Sequence, residues 1–450
     1  MATNASHVFG RSAVSGPLPT IARGEGCYLI DTAGRRYLDG SGGAAVSCLG
    51  HSDAAVTQAV KDQLDRVAFA HTGFFTSDPA EELAEKLVQN APDGIDRVYL
   101  LSGGSEAMEA SLKLARQFYL EKGQPERHRV IARRQSYHGN TLGALATGGN
   151  MWRREPFAPM MIETSHISPC YEYRDRQESE TAHDYGQRIA NELEAEILRL
   201  GPESVMAFVA EPVVGATLGA VPPVAGYFKR ISEICDRYDV LLILDEVMCG
   251  MGRTGTLFAC EQEGVTPDII AVAKGLGAGY QPLGAMLSSK RIYETIAQGS
   301  GFFQHGHTYM GHPVAASAGL AVLKRLVDDG LVARVGRLGA ILRAALQAEF
   351  AEQPNVGDIR GRGLFVGLEL VSDRSTKTPF DPALGVAKQL KKAAFDAGLV
   401  CYPMGGTIDG KHGDHVLLAP PFIMEETQID ELVGKLATAL NSVLGKISGS

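Results

Sequence analysis

Ile269-Ile270-Ala271-Val272-Ala273-Lys274-Gly275-Leu276-Gly277 sets a single lysine at the end of a small, apolar run. Twenty-nine residues earlier another apolar run, Leu241-Leu242-Ile243-Leu244, ends in the acidic pair Asp245-Glu246. Short continuous apolar runs of this kind fit strands buried on both faces. A lysine closing such a strand is poorly hydrated, so its pKa falls and its amine is free to attack a carbonyl carbon. An aspartate closing the neighbouring strand can hold a protonated pyridine nitrogen. Together they meet the needs of pyridoxal 5′-phosphate, an electron sink for carbanions. The plainer reading is an edge lysine whose ammonium reaches water past its own methylenes.

Around these two runs, strand-like segments at 97–101, 129–132, 205–210, 241–244, 269–273 and 283–287 alternate with helical patterns at 78–90, 105–122, 184–199 and 224–238. That alternation defines an α/β fold, a mostly parallel sheet covered by helices, whose ligands bind beyond the carboxyl ends of the strands. Asp245 and Lys274 then share one rim. Residues 21–50 read as short strands and glycine turns, an N-terminal arm. After Gly330 the pattern changes to helices at 331–351 and 382–397 around a strand at 364–370, a strand near 416–418 and a terminal helix at 425–444. The expected division is an arm at 1–52, a large domain at 53–330 and a smaller α+β C-terminal domain at 331–450.

With 450 residues, 45% hydrophobic and 21% charged, the chain has the composition of a soluble protein large enough for two domains. No segment approaches the apolar length of a membrane helix, and a net charge of −9 without a basic, aromatic-rich cluster disfavours nucleic acid, leaving a small molecule as the expected partner. Seven cysteines without paired spacings argue against a disulfide framework or a structural zinc site. Residues 1–19 lack the pattern of a secretory signal, so a cytoplasmic location is expected, and Asn4-Ala5-Ser6 matches a glycosylation acceptor by chance.

Other features fall at strand ends. Ser102-Gly103-Gly104-Ser105-Glu106 precedes a helix, and its backbone N–H groups with the Ser105 hydroxyl could cup a phosphate. A plain turn with Ser105 as N-cap explains the same residues. Tyr137-His138-Gly139 follows the 129–132 run and offers a ring to stack on a flat heterocycle, or only a packed cleft tyrosine. Glu211-Pro212 closes the 205–210 run and could bond ring substituents, or simply turn the chain. His305-Gly306-His307-Thr308 lacks the partners of a metal site, Gly252-Arg253-Thr254-Gly255 lacks the ending of a phosphate loop, and no dinucleotide glycine fingerprint occurs.

These motifs, with Tyr37-Leu38-Asp39-Gly40, Leu49-Gly50-His51, Asp245-Glu246-Val247, His307-Thr308-Tyr309 and Arg360-Gly361-Arg362-Gly363-Leu364, resemble over nearly the whole chain those of the class III aminotransferases. These are fold-type-I pyridoxal-phosphate enzymes that include omega-amino acid:pyruvate aminotransferases. The resemblance implies a large domain built on a mostly parallel seven-stranded sheet. It implies that Lys274 carries the cofactor and shuttles a proton, that Asp245 keeps the pyridine nitrogen protonated, and that Gly104 and Ser105 bind the phosphate. It further implies Tyr137 stacked on the ring, Val247 on its other face, Glu211 near the ring hydroxyl, and Thr308 reaching the phosphate of the neighbouring subunit in a homodimer, two of which could pair into a tetramer. The implied reaction moves an amino group from an amine or omega-amino acid to a small keto acid, pyruvate foremost, by a ping-pong mechanism. A decarboxylating aminotransferase, an aminomutase or a racemase shares the fold. Two departures stand out: Gly43-Ala44-Ala45-Val46-Ser47 where many relatives carry an aromatic pocket wall, and Asp409-Gly410-Lys411-His412 where many carry a mobile arginine, leaving Lys411 as the candidate grip for a carboxylate.

Overall fold

A computed structural model of the protein describes residues 7–12 and 18–448; Asn4-Ala5-Ser6 lies outside them. Its central sheet has seven strands in the order Ile95–Leu101, Gly284–Ser289, Ile269–Val272, Leu241–Asp245, Val205–Ala210, Arg129–Arg133 and Thr164–Ile167. Gly284–Ser289 runs antiparallel to both its neighbours, and the other pairings are parallel. The reversal has a simple cause. The loop 273–283 is too short to hold the crossover helix that a parallel return demands.

Val205–Ala210 and Leu241–Asp245 are buried at every position, as expected of strands covered on both faces. Thr164–Ile167 is different. Its four residues are mostly half-buried at the sheet edge and carry little apolar pattern, so the sequence reading passes over it. Helix Gly104–Glu121 packs on the sheet and buries ten residues, among them Met108, Leu112 and Phe118. Ala182–Leu200 begins at Thr181, whose hydroxyl accepts from the Asp184 N–H at 3.1 Å. Ala54–Arg66 and Pro313–Val327, which the strand-and-helix alternation did not single out, pack on one another.

Two smaller sheets flank this one. Val356–Arg362, Phe365–Leu370, Asp414–Leu418 and Tyr402–Gly405 form an antiparallel sheet in that order. The N-terminal strands Ile21–Glu25, Tyr28–Asp31 and Arg36–Asp39 are joined by Leu399–Val400, which pairs parallel to Arg36–Asp39 through Leu38↔Leu399. The arm is therefore sewn to the C-terminal third, and one apolar cluster runs from Cys27 to Leu444. The expected helix at 382–397 is broken at Gly385, in a left-handed conformation, into a short turn and Val386–Asp396. All seven cysteines are buried free thiols. No helix among the described residues is long and apolar enough to cross a membrane.

Helix Leu331–Phe350 contains two glycines in opposite situations. A Cβ at Gly339 would lie 2.1 Å from the Gly363 carbonyl oxygen, whereas one at Gly336 would meet nothing within 4 Å. Gly339→Ala should therefore lower the thermal midpoint although alanine is the better helix former, and Gly336→Ala should raise it by the equivalent of about 0.5–1 kcal/mol. Thermal unfolding followed by circular dichroism checks both signs.

Candidate active site

Asp245 pairs with Ala271 in the parallel ladder, so Lys274 begins three residues beyond that rung, at the same rim. Lys274 has a left-handed backbone, φ 45°, a conformation that costs a residue with a side chain about 1–2 kcal/mol. Strain kept at one lysine on a strand end is a common mark of a functional position. The side chain lines a cavity of about 490 Å³ that also receives Ser105, Tyr137, Glu211, Asp245 and Val247.

Asp245 is 4% exposed, and both its oxygens are engaged. His138 Nδ1 lies 2.8 Å from Oδ2, and the Val247 N–H donates to Oδ1 at 3.0 Å. With Nδ1–H donating, His138 is fixed in one tautomer and its buried Nε2 has no partner among the described residues. His138 is the site residue that sequence reasoning passed over. Its motif was noted, but a lone histidine beside a tyrosine carries no signal until Asp245 is known to face it. Glu246, the second member of the acidic pair, turns away from the cavity. Its carboxylate accepts from the Ala259 and Cys260 N–H groups at 2.5 and 2.8 Å, and burial pushes its pKa up to about 7.

The Gly103-Gly104-Ser105 turn is held by close packing. A Cβ at Gly104 would sit 2.7 Å from Val247 Cγ1, so the glycine lets the helix start approach the second residue after Asp245. The Ser105 hydroxyl accepts from the Asn140 N–H at 3.0 Å and lies 2.8 Å from Asn140 Oδ1, which ties the turn to the Tyr137-His138-Gly139 segment. Glu211 accepts from the Tyr137 N–H at 3.1 Å and from the Gly215 N–H at 2.8 Å. Burial raises its pKa, partly opposed by His138. The Arg153 guanidinium lies 4.7 Å from the centre of the Tyr137 ring.

Lys274 stands out electrostatically. Desolvation brings its amine down from the ordinary lysine range to about 8, against the opposing pull of Asp245 and Glu211. With a pKa of about 8, roughly a tenth of the amine is neutral at pH 7, far more than of an ordinary lysine, and it is the neutral form that acts as nucleophile.

The remaining sequence candidates fall elsewhere. Thr308 is exposed and does not line the cavity of its own chain. Lys411 is exposed in the turn between Tyr402–Gly405 and Asp414–Leu418, where Asp409 caps it, and does not reach the cavity. Arg253 of the Gly252-Arg253-Thr254-Gly255 run is buried and donates to the Leu364 and Pro420 carbonyls at 3.1 and 2.6 Å, a structural staple. No group of three or more His, Cys, Asp or Glu that could hold a metal occurs among the described residues. Of the Gly43-Ala44-Ala45-Val46-Ser47 stretch, Ala44 and Val46 line the cavity.

An amine-bearing lysine opposite a histidine-braced aspartate at the carboxyl rim of this sheet defines a fold-type-I transferase site, and the chain belongs to the class III aminotransferases, whose family model matches residues 11–440. Members of that family use pyridoxal 5′-phosphate. The chain is 48% identical over 430 residues to an uncharacterized aminotransferase of Schizosaccharomyces pombe, covering 95% of this chain and 94% of that one. It is 36% identical over 434 residues to a diaminobutyrate–2-oxoglutarate transaminase of Halomonas elongata, covering 95% and 91%. Among solved structures it is similar to an (S)-enantioselective omega-transaminase from Thermomicrobium roseum, with TM-score 0.91, 37% identity and coverage of 98% and 96%. It is also similar to the PMP-bound form of an aminotransferase from Vibrio fluvialis, with TM-score 0.88, 35% identity and coverage of 95% and 93%.

The depressed lysine makes a direct prediction. In cofactor-free protein, reductive methylation of Lys274 by formaldehyde and borohydride, followed by peptide mass spectrometry, should be half-maximal near pH 8. Asp245→Asn removes a charge that favours the ammonium, so its half-point should fall below that of the parent. A half-point near that of a free lysine would contradict the assignment.

Proposed function

We propose that the protein is a pyridoxal-phosphate aminotransferase that moves an amino group from an amine or omega-amino acid to a small keto acid, pyruvate foremost, in two successive half-reactions. The observation that carries this reading is the opposition of Lys274 and Asp245 at one rim of the cavity. The residues fit the cofactor by their chemistry. Asp245 would hold a protonated ring nitrogen, and the backbone of Gly104 with the Ser105 hydroxyl would hold the phosphate at a helix start. Tyr137 and Val247 would take the two faces of the ring and Glu211 the edge that bears the hydroxyl. Thr308 is exposed on its own subunit, and its role would be at the phosphate of a second subunit, which makes a homodimer the working unit.

When bound, pyridoxal phosphate supplies a ring that withdraws electrons from the carbon losing its proton. Lys274 then serves twice. Its neutral amine would hold the cofactor covalently, and once displaced by the donor's nitrogen it would take the proton from the substrate carbon and return it to the cofactor carbon on the far side of that nitrogen. His138 aims Asp245, since its ring Nδ1 lies 2.8 Å from Oδ2 and holds that oxygen in place. The donor leaves as a carbonyl compound before the acceptor enters, the order that a single cavity enforces.

A decarboxylating or isomerising enzyme would need further groups beside Lys274 to steer the reaction, and no observation favours one. Lys274→Ala should retain less than about a thousandth of the turnover of the parent, measured as alanine formed from pyruvate and a panel of amines. Turnover within tenfold of the parent would remove the reading. Ala44 and Val46 leave the wall wide, so Ala44→Trp should lower kcat/KM for 1-phenylethylamine at least tenfold relative to propylamine. Equal losses for both amines would show that this wall does not face the substrate.

A further inference from the structure

We propose that Arg153, held against the face of Tyr137, is the group that binds the carboxylate of the acceptor and of carboxylate-bearing donors. The inference rests on the aminotransferase reading of the cavity and gives that site its carboxylate anchor. Lys411 does not reach the cavity, and the grip must come from a cation that does. Two arginines line it, Arg153 and Arg11.

Arg153 has the features of a prepared anion site. Its guanidinium carbon is 4.7 Å from the Tyr137 ring centre and 5.4 Å from that of Trp152, so the fork is held by two aromatic faces. Its side chain makes no hydrogen bond and no ion pair among the described residues, and its Nε is buried without an acceptor. Most other arginines near this face are committed: Arg133 to the Glu211 carbonyl, Arg154 to the Ala146 carbonyl at 2.5 Å, and Arg134 to the His166 carbonyl at 3.2 Å. A guanidinium ordered in advance, with donors unspent, binds a carboxylate in the two-pronged geometry that lysine cannot copy. Arg11, on the described segment 7–12, is exposed and has no such support, so ordering it costs entropy that Arg153 has already lost. Arg153, Tyr137 and Lys274 line one cavity, so the anchor holds an acceptor's carboxylate in the same space that Lys274 borders.

The test separates charge from packing. Trp152 is the single tryptophan and touches the proposed anchor, so its emission reports binding without turnover. The holoenzyme is titrated with propionate, which has neither an amino nor a keto group, and with uncharged propionamide; calorimetry repeats both titrations. The parent should bind propionate saturably and propionamide far more weakly. Arg153→Met keeps a stem over the Tyr137 ring and should weaken propionate by about a hundredfold, Arg153→Lys should recover part of that loss, and Arg11→Met should cost less than tenfold. In turnover, the rise in KM for pyruvate in Arg153→Met should exceed any change in kcat. Propionate affinity in Arg153→Met or Arg153→Lys equal to the parent's, or no saturable binding to the parent by either method, overturns the proposal. Failure of the underlying reading looks different: Arg153-dependent propionate binding would persist while no amine altered the visible absorption of the bound cofactor.

Discussion

An ammonium and a carboxylate ending adjacent parallel strands is the constraint on which the rest of this structure depends. Asp245 and Lys274 cannot both be desolvated at the rim of one cavity unless something else compensates. The protein meets Asp245 with the His138 ring and the Val247 N–H, and leaves Lys274 with a lowered pKa. The neighbouring choices follow from that arrangement. Gly104 is a glycine because Val247, fixed by its bond to Asp245, occupies the place of a side chain. Glu211 is spent on the Tyr137 and Gly215 backbone, which sets the Tyr137 segment beside the same aspartate. The cavity is thus organised from the carboxylate outward.

The surrounding fold supplies rigidity rather than chemistry. Strands buried on both faces hold the two rim residues in register, and the C-terminal sheet is fastened to the large one through buried Arg253 and through Arg360, which donates to the Gly219 carbonyl at 2.9 Å. Arg360 is also paired with Glu369, which accepts from Tyr171 and Arg174, a buried charge network with each member answered. Such a network is costly to break and ties the two sheets into one body around the cavity.

Much of this was legible in the chain because the rim residues follow buried strands, and buried strands announce themselves by continuous apolar runs. Lys274, Asp245, Tyr137, Glu211 and the Gly104-Ser105 turn all sit where strand ends were expected, and all line the cavity. What escaped depends on geometry that spacing does not encode. The antiparallel sense of Gly284–Ser289 follows from loop length, and Thr164–Ile167 is an edge strand too short and polar to register. His138 gains meaning only from its contact with Asp245. Glu246 looked like the twin of Asp245, yet alternation along the chain sends it to the opposite side. Arg153 lies in no motif, and only its stacking on Tyr137 marks it.

The central question is whether the lysine-centred cavity exchanges amino groups in two separable halves. The most direct measurement is the visible absorption of the purified, cofactor-loaded protein, first with a single amine donor in excess and no acceptor, then with pyruvate added after the donor is removed. The band of the bound cofactor should be lost in the first stage with release of one carbonyl product per site, and return in the second with one alanine per site. A band that no amine or omega-amino acid alters, in protein shown to carry cofactor on Lys274, would contradict this exchange.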